Sequence, residues 1–387
     1  MIETIAIHGY RSLRDLILPM KPLTVVTGAN GSGKSSLYRA LRLLGDAALN
    51  SVVSSLAREG GLPSTLWAGP EKIARSVRRG DHAMEGLASR SPASLKLGFS
   101  GETYSYSIDL GYPPPQATAF SLDPAIKREC IWHGSRYRKA AVLVDRRNGL
   151  VSLPAGKDEP VILTTKLSPA ESMLASIADP HRAPEMFAVR ESIRSWRFYD
   201  GFRTDIDSPV RIPQIGTFTP VLNNDGTDLP AALQTILEIG DAEALERTID
   251  DAFPGSRIVI DVQAGRFEVQ LQQHGLLRAL SASELSDGTL RFLLWTAALL
   301  TPRPPELMVL NEPETSLHPD LLPALARLIV TAAEHSQIIV VSHSQTLIQP
   351  LQESSTCQRL HLEKSFGETV LSGATLLNTT RWEWPSR

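Results

Sequence analysis

The sequence predicts an α/β fold with a mixed, largely parallel core sheet, an antiparallel β subdomain and a partly helical insertion. Three observations carry that reading. Near the start, PLTVVTGANGSGKSSLYRALRLLG runs from an apolar strand through a glycine-rich loop into a helix. Near the end, TLRFLLWTAALL, ELMVLNE, LLPALARLIVTAAE and QIIVVSHS alternate helix with strand, as a βαβ unit of a parallel sheet does. Between them, SLKLGFS, ETYSYSIDLG and KAAVLVDRRNGLVSL are short alternating strands separated by Gly, Pro and Asn turns, the texture of an antiparallel meander.

Taken in order, Ile2 to Ile7 alternates apolar and polar as a half-buried strand does, ahead of the glycine loop. The alternating strands begin at about residue 94. A pattern richer in helix occupies roughly residues 168 to 200, broken by Pro180 and Pro184. TDIDSPVRIPQIGTFTPVLNNDGTDLP, with its prolines and turn residues, reads as a long connection and marks a boundary near residue 220. PAALQTILEI, RIVIDVQ and RFEVQLQ then lead into the βαβ series. The expected division is 1–93 as an N-terminal lobe, 94–219 as an inserted β and helical segment, and 220–387 as a C-terminal lobe, with the outer two forming one head. No repeat, low-complexity tract or sustained heptad pattern stands out.

Bulk properties narrow the class without naming it. A chain of 387 residues, 42% hydrophobic and 21% charged, has the composition of a globular protein. Its formal net charge of -3 gives no global attraction for nucleic acid or an anionic membrane. Cys130 and Cys357 form neither a CxxC zinc pattern nor a disulfide framework, which suggests a reducing compartment. The N-terminus lacks the apolar core of a signal peptide, and FLLWTAALL is far short of the roughly 20 apolar residues of a spanning helix. A soluble, cytoplasmic protein without membrane contact is the expectation.

Gly28-Ala29-Asn30-Gly31-Ser32-Gly33-Lys34-Ser35 matches GxxxxGK[ST] between a strand and a helix, the context the motif needs, with Ser36 next in the same helix start. The glycines let backbone N–H groups converge on phosphate oxygens, and the helix N-terminus adds its positive dipole end. Lys34 is suited to the β and γ phosphates of ATP, and the Ser35 hydroxyl to Mg²⁺. Leu285-Ser286-Asp287-Gly288 precedes an apolar helix, so Ser286 is placed as an N-cap. LMVLNEPE is a buried strand ending in Asn311 and Glu312, and ligands of open α/β sheets bind beyond the carboxyl ends of strands. His343 ends the next strand.

Together, IAIHGYRSLRDLILPMKPLTVVTGANGSGKSSL, LSDGTLRFLLW, LNEPETSLHPDLL and VVSHSQTLI give the chain its resemblance to the ABC-type ATPase superfamily. Within it, the sequence is most similar to bacterial AAA-like ATP-binding proteins related to the RecF, SMC and OLD groups. The resemblance covers roughly residues 1 to 50 and 220 to 350. It implies an ABC-type P-loop ATPase head in which Ser286 and Gly288 of one protomer reach the γ-phosphate held by the other, so that two copies pair around two ATP molecules. It further implies Glu312 as the carboxylate that polarises the attacking water and His343 as the switch histidine, beside Lys34. The position of Asn311 usually holds an Asp. An Asn keeps the oxygen and loses the charge, so slow hydrolysis is expected unless Glu312 or Glu314 supplies that charge.

Other residues carry two readings each. Arg11 either approaches the nucleotide, as basic residues do in related heads, or is a solvated turn arginine. His318 and Pro319 either signal to a partner subunit or start a helix. Residues 127 to 147 hold seven Lys or Arg, from Lys127 to Arg147, against Glu129 and Asp145, with Trp132 and Tyr137 among them. That stretch is either a nucleic-acid contact or a charged strand face. The resemblance leads to an ATPase whose dimer closure controls a DNA transaction or an effector such as a nuclease or toxin, in genome maintenance or anti-phage defence. An ATP-sensing scaffold and a transporter ATPase subunit are the alternatives. With 44 residues after His343 in a chain of 387, no fused TOPRIM nuclease domain is expected.

Overall fold

The computed structural model describes residues 1–69, 94–114, 119–154, 159–177, 179–373 and 381–387. Residues 70–93 of the expected N-terminal lobe lie outside the described residues. The chain divides into two compact units, one of Met1–Met20, Gly28–Arg194 and Leu360–Arg387, the other of Lys21–Thr27 and Ser195–Arg359.

The first unit is built on the antiparallel sheet that the alternating strands predict. Its eight strands run in the order Leu13–Pro19, Ile2–Tyr10, Leu95–Gly101, Tyr104–Gly111, Ala125–His133, Val142–Arg147, Leu150–Leu153 and Val161–Thr164, every neighbouring pair antiparallel. The helix Lys34–Asp46 belongs to this unit and buries Leu37, Tyr38, Leu41 and Leu44, spaced three and four apart as a single helix face requires. The basic strands meet in a buried ionic network. Glu129 and Arg146 are register partners, both wholly buried, and Arg146 donates to Glu129 across 2.5 Å. Tyr106 Oη and Ser172 Oγ each donate to Glu129 Oε1 at 2.6 Å, and the Met173 N–H donates to Oε2 at 2.8 Å. The rest of the guanidinium donates to the carbonyls of Asn148, Ser168 and Glu171.

The second unit contains the parallel strands that the βαβ series predicts, in the order Arg197–Tyr199, Leu307–Asn311, Gln337–Val341, with the strand beginning at Leu23 beside the last. A smaller antiparallel sheet joins Gln214–Ile215, Arg266–Gln272 and Arg257–Gln263. Gln214–Ile215 falls inside the stretch that reads as a connection, where two paired residues leave no periodicity to detect. The helix Asp287–Leu299 is the centre of the core. Leu290 and every residue from Phe292 to Leu299 are buried, which is why FLLWTAALL is apolar on all sides. Among the described residues no helix is long and apolar enough to cross a membrane.

Candidate functional site

The glycine loop owes its shape to backbone conformations that side chains oppose. Gly28, Gly31 and Gly33 have φ of 155°, 77° and 108°. A Cβ on Gly33 would collide with Thr369, whose hydroxyl donates to the Ser32 carbonyl at 2.8 Å. Lys34 is nearly buried, and its Nζ donates to the carbonyls of Gly28 at 2.7 Å and Ala29 at 3.1 Å, so the loop curls around its own ammonium. Ser32 Oγ is buried without a hydrogen-bond partner among the described residues. Asn30, Gly31 and Ser35 are exposed and Ser36 is half-buried at the start of a helix whose first N–H groups have no intrahelical acceptor. A concave nest with a buried cation and an unpaired hydroxyl fits a phosphate chain with its metal. Arg11, at the turn between the first two strands with φ 48°, donates to Glu59 Oε2 at 2.7 Å, where Tyr10 Oη also donates at 2.6 Å. Its guanidinium therefore has a structural partner.

In the second unit, Asn311, Glu312, Glu314 and His343 lie at the carboxyl ends of two adjacent parallel strands. Asn311 is the register partner of Val341, and the Glu312 N–H donates to the Val341 carbonyl at 2.7 Å. Glu312 takes a left-handed φ of 48°, a conformation that costs a non-glycine residue and recurs at functional sites. Its side chain is 41% exposed. Glu314 is different: its side chain is 6% exposed, and Oε1 accepts from Ser342 Oγ at 2.6 Å, from the His343 N–H at 2.9 Å and from the Ser344 N–H at 3.1 Å. His343, 57% exposed, turns Nδ1 to Glu314 at 3.3 Å and to Glu312 at 3.8 Å, leaving Nε2 as its other polar edge. Of the two carboxylates expected to offset Asn311, Glu314 is thus committed to the histidine loop, and Glu312 remains open.

The LSDG segment is fixed from two sides. Ser286 caps its helix by accepting from the Thr289 N–H at 3.1 Å, and a Cβ on Gly288 would lie 3.4 Å from the Ser316 carbonyl. Arg211 donates to the Leu285 carbonyl at 2.8 Å and to Asp287 at 2.5 Å. Arg291, one turn into the helix, donates to the carbonyls of Thr315 and Phe202 at 2.9 Å each, and so joins the signature helix to the turn after Glu312. Burial lowers the Arg291 pKa, and nearby Asp287 partly offsets it. A cavity of about 120 Å³ beside Asn311 and Glu312 is also lined by Asp200 and Arg291. Arg211, Arg291 and Asp200 escaped the sequence reading. Asp200 directly follows the short strand RFY, one residue beyond the Tyr199–Leu310 register pair. His318 accepts from the Asp320 N–H at 3.3 Å with Pro319 starting a 3-10 turn, the geometry of the helix-start reading.

The basic stretch is less basic than its composition. Arg146 pairs with Glu129, and both Arg128 and Arg147 pair with Asp145. Arg136, Arg138 and Lys139 are exposed.

Residues 163–349 match the family described as "AAA domain, putative AbiEii toxin, Type IV TA system", and residues 1–62 match "AAA ATPase domain". A stretch of 47 residues is 43% identical to the OLD nuclease of Thermus scotoductus, spanning 12% of this chain and 9% of that protein. Among solved structures, the Smc head bound to the C-winged helix domain of ScpA aligns over 97% of this chain and 98% of its own, with 13% identity and a TM-score of 0.50. An Smc head with an extended coiled coil, bound to the C-terminal domain of ScpA derived from Pyrococcus furiosus, aligns over 97% and 96%, with 12% identity and the same TM-score of 0.50. At such identities the likeness is one of fold, and the fold is the ABC-type head.

Proposed function

We propose, for a chain that belongs to the AAA/ABC-like P-loop ATPases, that it binds ATP at the Gly28–Ser35 loop, hydrolyses it slowly, and closes head to head with a second copy. The observation that carries this reading is the cluster at the strand ends, where Glu314 fixes the backbone of His343 and Glu312 keeps an open carboxylate. Lys34 exchanges its two loop carbonyls for phosphate oxygens. Glu312 accepts the proton of the attacking water. His343, oriented through Nδ1, offers Nε2 to the γ-phosphate. Ser286 and Gly288 of the second copy complete the site at the positive end of their helix.

Mg²⁺ would be held by the Ser35 hydroxyl and the Asn311 amide oxygen and would neutralise charge on the β and γ phosphates. Asn311 favours slow turnover, and Asp200, which lines the same cavity as Asn311, can replace its charge. The output we propose is control of a DNA transaction or of an effector such as a nuclease or toxin, in genome maintenance or anti-phage defence. The AbiEii toxin description and the partial likeness to an OLD nuclease support the effector branch. Steady-state phosphate release tests the enzyme: turnover clearly above that of Lys34→Ala is expected. Equal rates would leave ATP sensing without hydrolysis, the second reading that Asn311 favours. A transporter subunit is the weakest alternative.

A further inference from the structure

An aromatic cavity in the first unit is unused by the ATP reading. It has a volume of about 190 Å³ and lies between the end of the strand Ala125–His133, the turn that follows, and the segment at Arg381–Glu383. Trp132 packs edge-on against Tyr137 at 5.6 Å between ring centres and against Trp382 at 5.7 Å. These rings are held in place. Arg128 reaches the Tyr137 hydroxyl at 3.5 Å, and Gly98 leaves the space that Trp382 fills, because a Cβ there would lie 2.8 Å from the indole. Among the described residues the buried indole N–H groups of Trp132 and Trp382 have no acceptor.

Charge is distributed unevenly around this cavity. Where Arg128 and Arg147 share Asp145 and Arg146 pairs with Glu129, the three arginines that line the cavity, Arg136, Arg138 and Arg381, are exposed and form no ion pair among the described residues. Only Glu383 opposes them in the lining. Rigid aromatic walls with unpaired guanidinium groups at the rim favour a planar ring that carries phosphate. Size narrows the class: a cavity of about 150 Å³ takes one benzene ring, so this one takes a base and leaves its phosphates outside among the arginines.

We infer that this cavity binds a nucleobase with its phosphate, as one residue of a single-stranded nucleic acid or as a free nucleotide. Glu383 supplies a carboxylate that can accept from an exocyclic amino group of the base. The inference goes beyond the ATP reading and does not depend on it.

The test is fluorescence anisotropy of a labelled mixed-sequence single-stranded 12-mer, with AMP titrated separately by tryptophan quenching. Both run on the full chain and in the Lys34→Ala background, so that the glycine loop does not contribute. Trp382→Ala, and Arg136→Glu with Arg138→Glu, are each expected to weaken binding by about tenfold, with thermal unfolding unchanged in the double variant, whose positions are exposed. Loss of 12-mer binding in both variants assigns a strand. Binding of AMP alone, lost in the same variants, assigns a free nucleotide. The inference is overturned if neither probe binds, or if either binds equally to the surface double variant, whose exposed positions leave the fold untouched.

Discussion

Two buried glutamates, one in each unit, are satisfied in opposite ways. Glu129 sits opposite Arg146, and both its oxygens accept, from Tyr106, Ser172, Met173 and the guanidinium. Both carboxylate oxygens are thus occupied, and burial together with Glu129 pushes the Tyr106 phenol well above its ordinary range. Among the described residues Glu314 has no arginine partner. One oxygen gathers three donors from Ser342 to Ser344, the other is buried without a partner among the described residues, and a half-exposed histidine leans on the group. The first arrangement locks a sheet, whereas the second holds a loop in position at a solvent-facing edge. A closed network is a mark of structure, and an incomplete one beside open polar groups is a mark of function.

This contrast can be broken by substitution. Arg146→Ala strands the Glu129 charge in the core and is expected to cost about 3–5 kcal/mol in chemical denaturation. A loss under about 1 kcal/mol would show that the pair is not the lock of the sheet. Glu314→Ala should cost less stability, about 1–3 kcal/mol for the released donors, but should lower kcat by at least tenfold with little change in KM. A purely structural Glu314 would move stability and leave kcat alone. Asp200→Asn should raise the Mg²⁺ concentration for half-maximal ATP binding several-fold without altering the unfolding midpoint, if Asp200 replaces the charge absent at Asn311. The smallest effect concerns Cys130. Burial, with Asp145 beside it, pushes its thiol up to about 12, so at pH 8 it stays protonated and iodoacetamide should not label it in the native protein.

Much of this architecture can be read from period and spacing. The glycine loop, the four strands and helices from TLRFLLWTAALL to QIIVVSHS, and the antiparallel meander each carry several residues of consistent pattern. Two-residue strands such as Gln214–Ile215 carry none. Charge was harder to read, because composition gives the sum and the fold decides the pairing. Seven basic residues against two acids suggested a basic face, yet Arg146 is in the core and Asp145 holds two neighbours. The roles of Arg211, Arg291 and Glu314 depend on backbone carbonyls and N–H groups far away in sequence, and no local pattern announces such partners. Trp382 likewise meets Trp132 only through the fold.

The central claim is that the two strand ends and LSDG form a site completed by a second copy. Light scattering coupled to size exclusion, run on Glu312→Gln protein with and without ATP and Mg²⁺, tests it most directly. We predict a monomer without nucleotide and a dimer of twice 42.3 kDa with it. A monomer that persists while nucleotide is demonstrably bound would contradict the account.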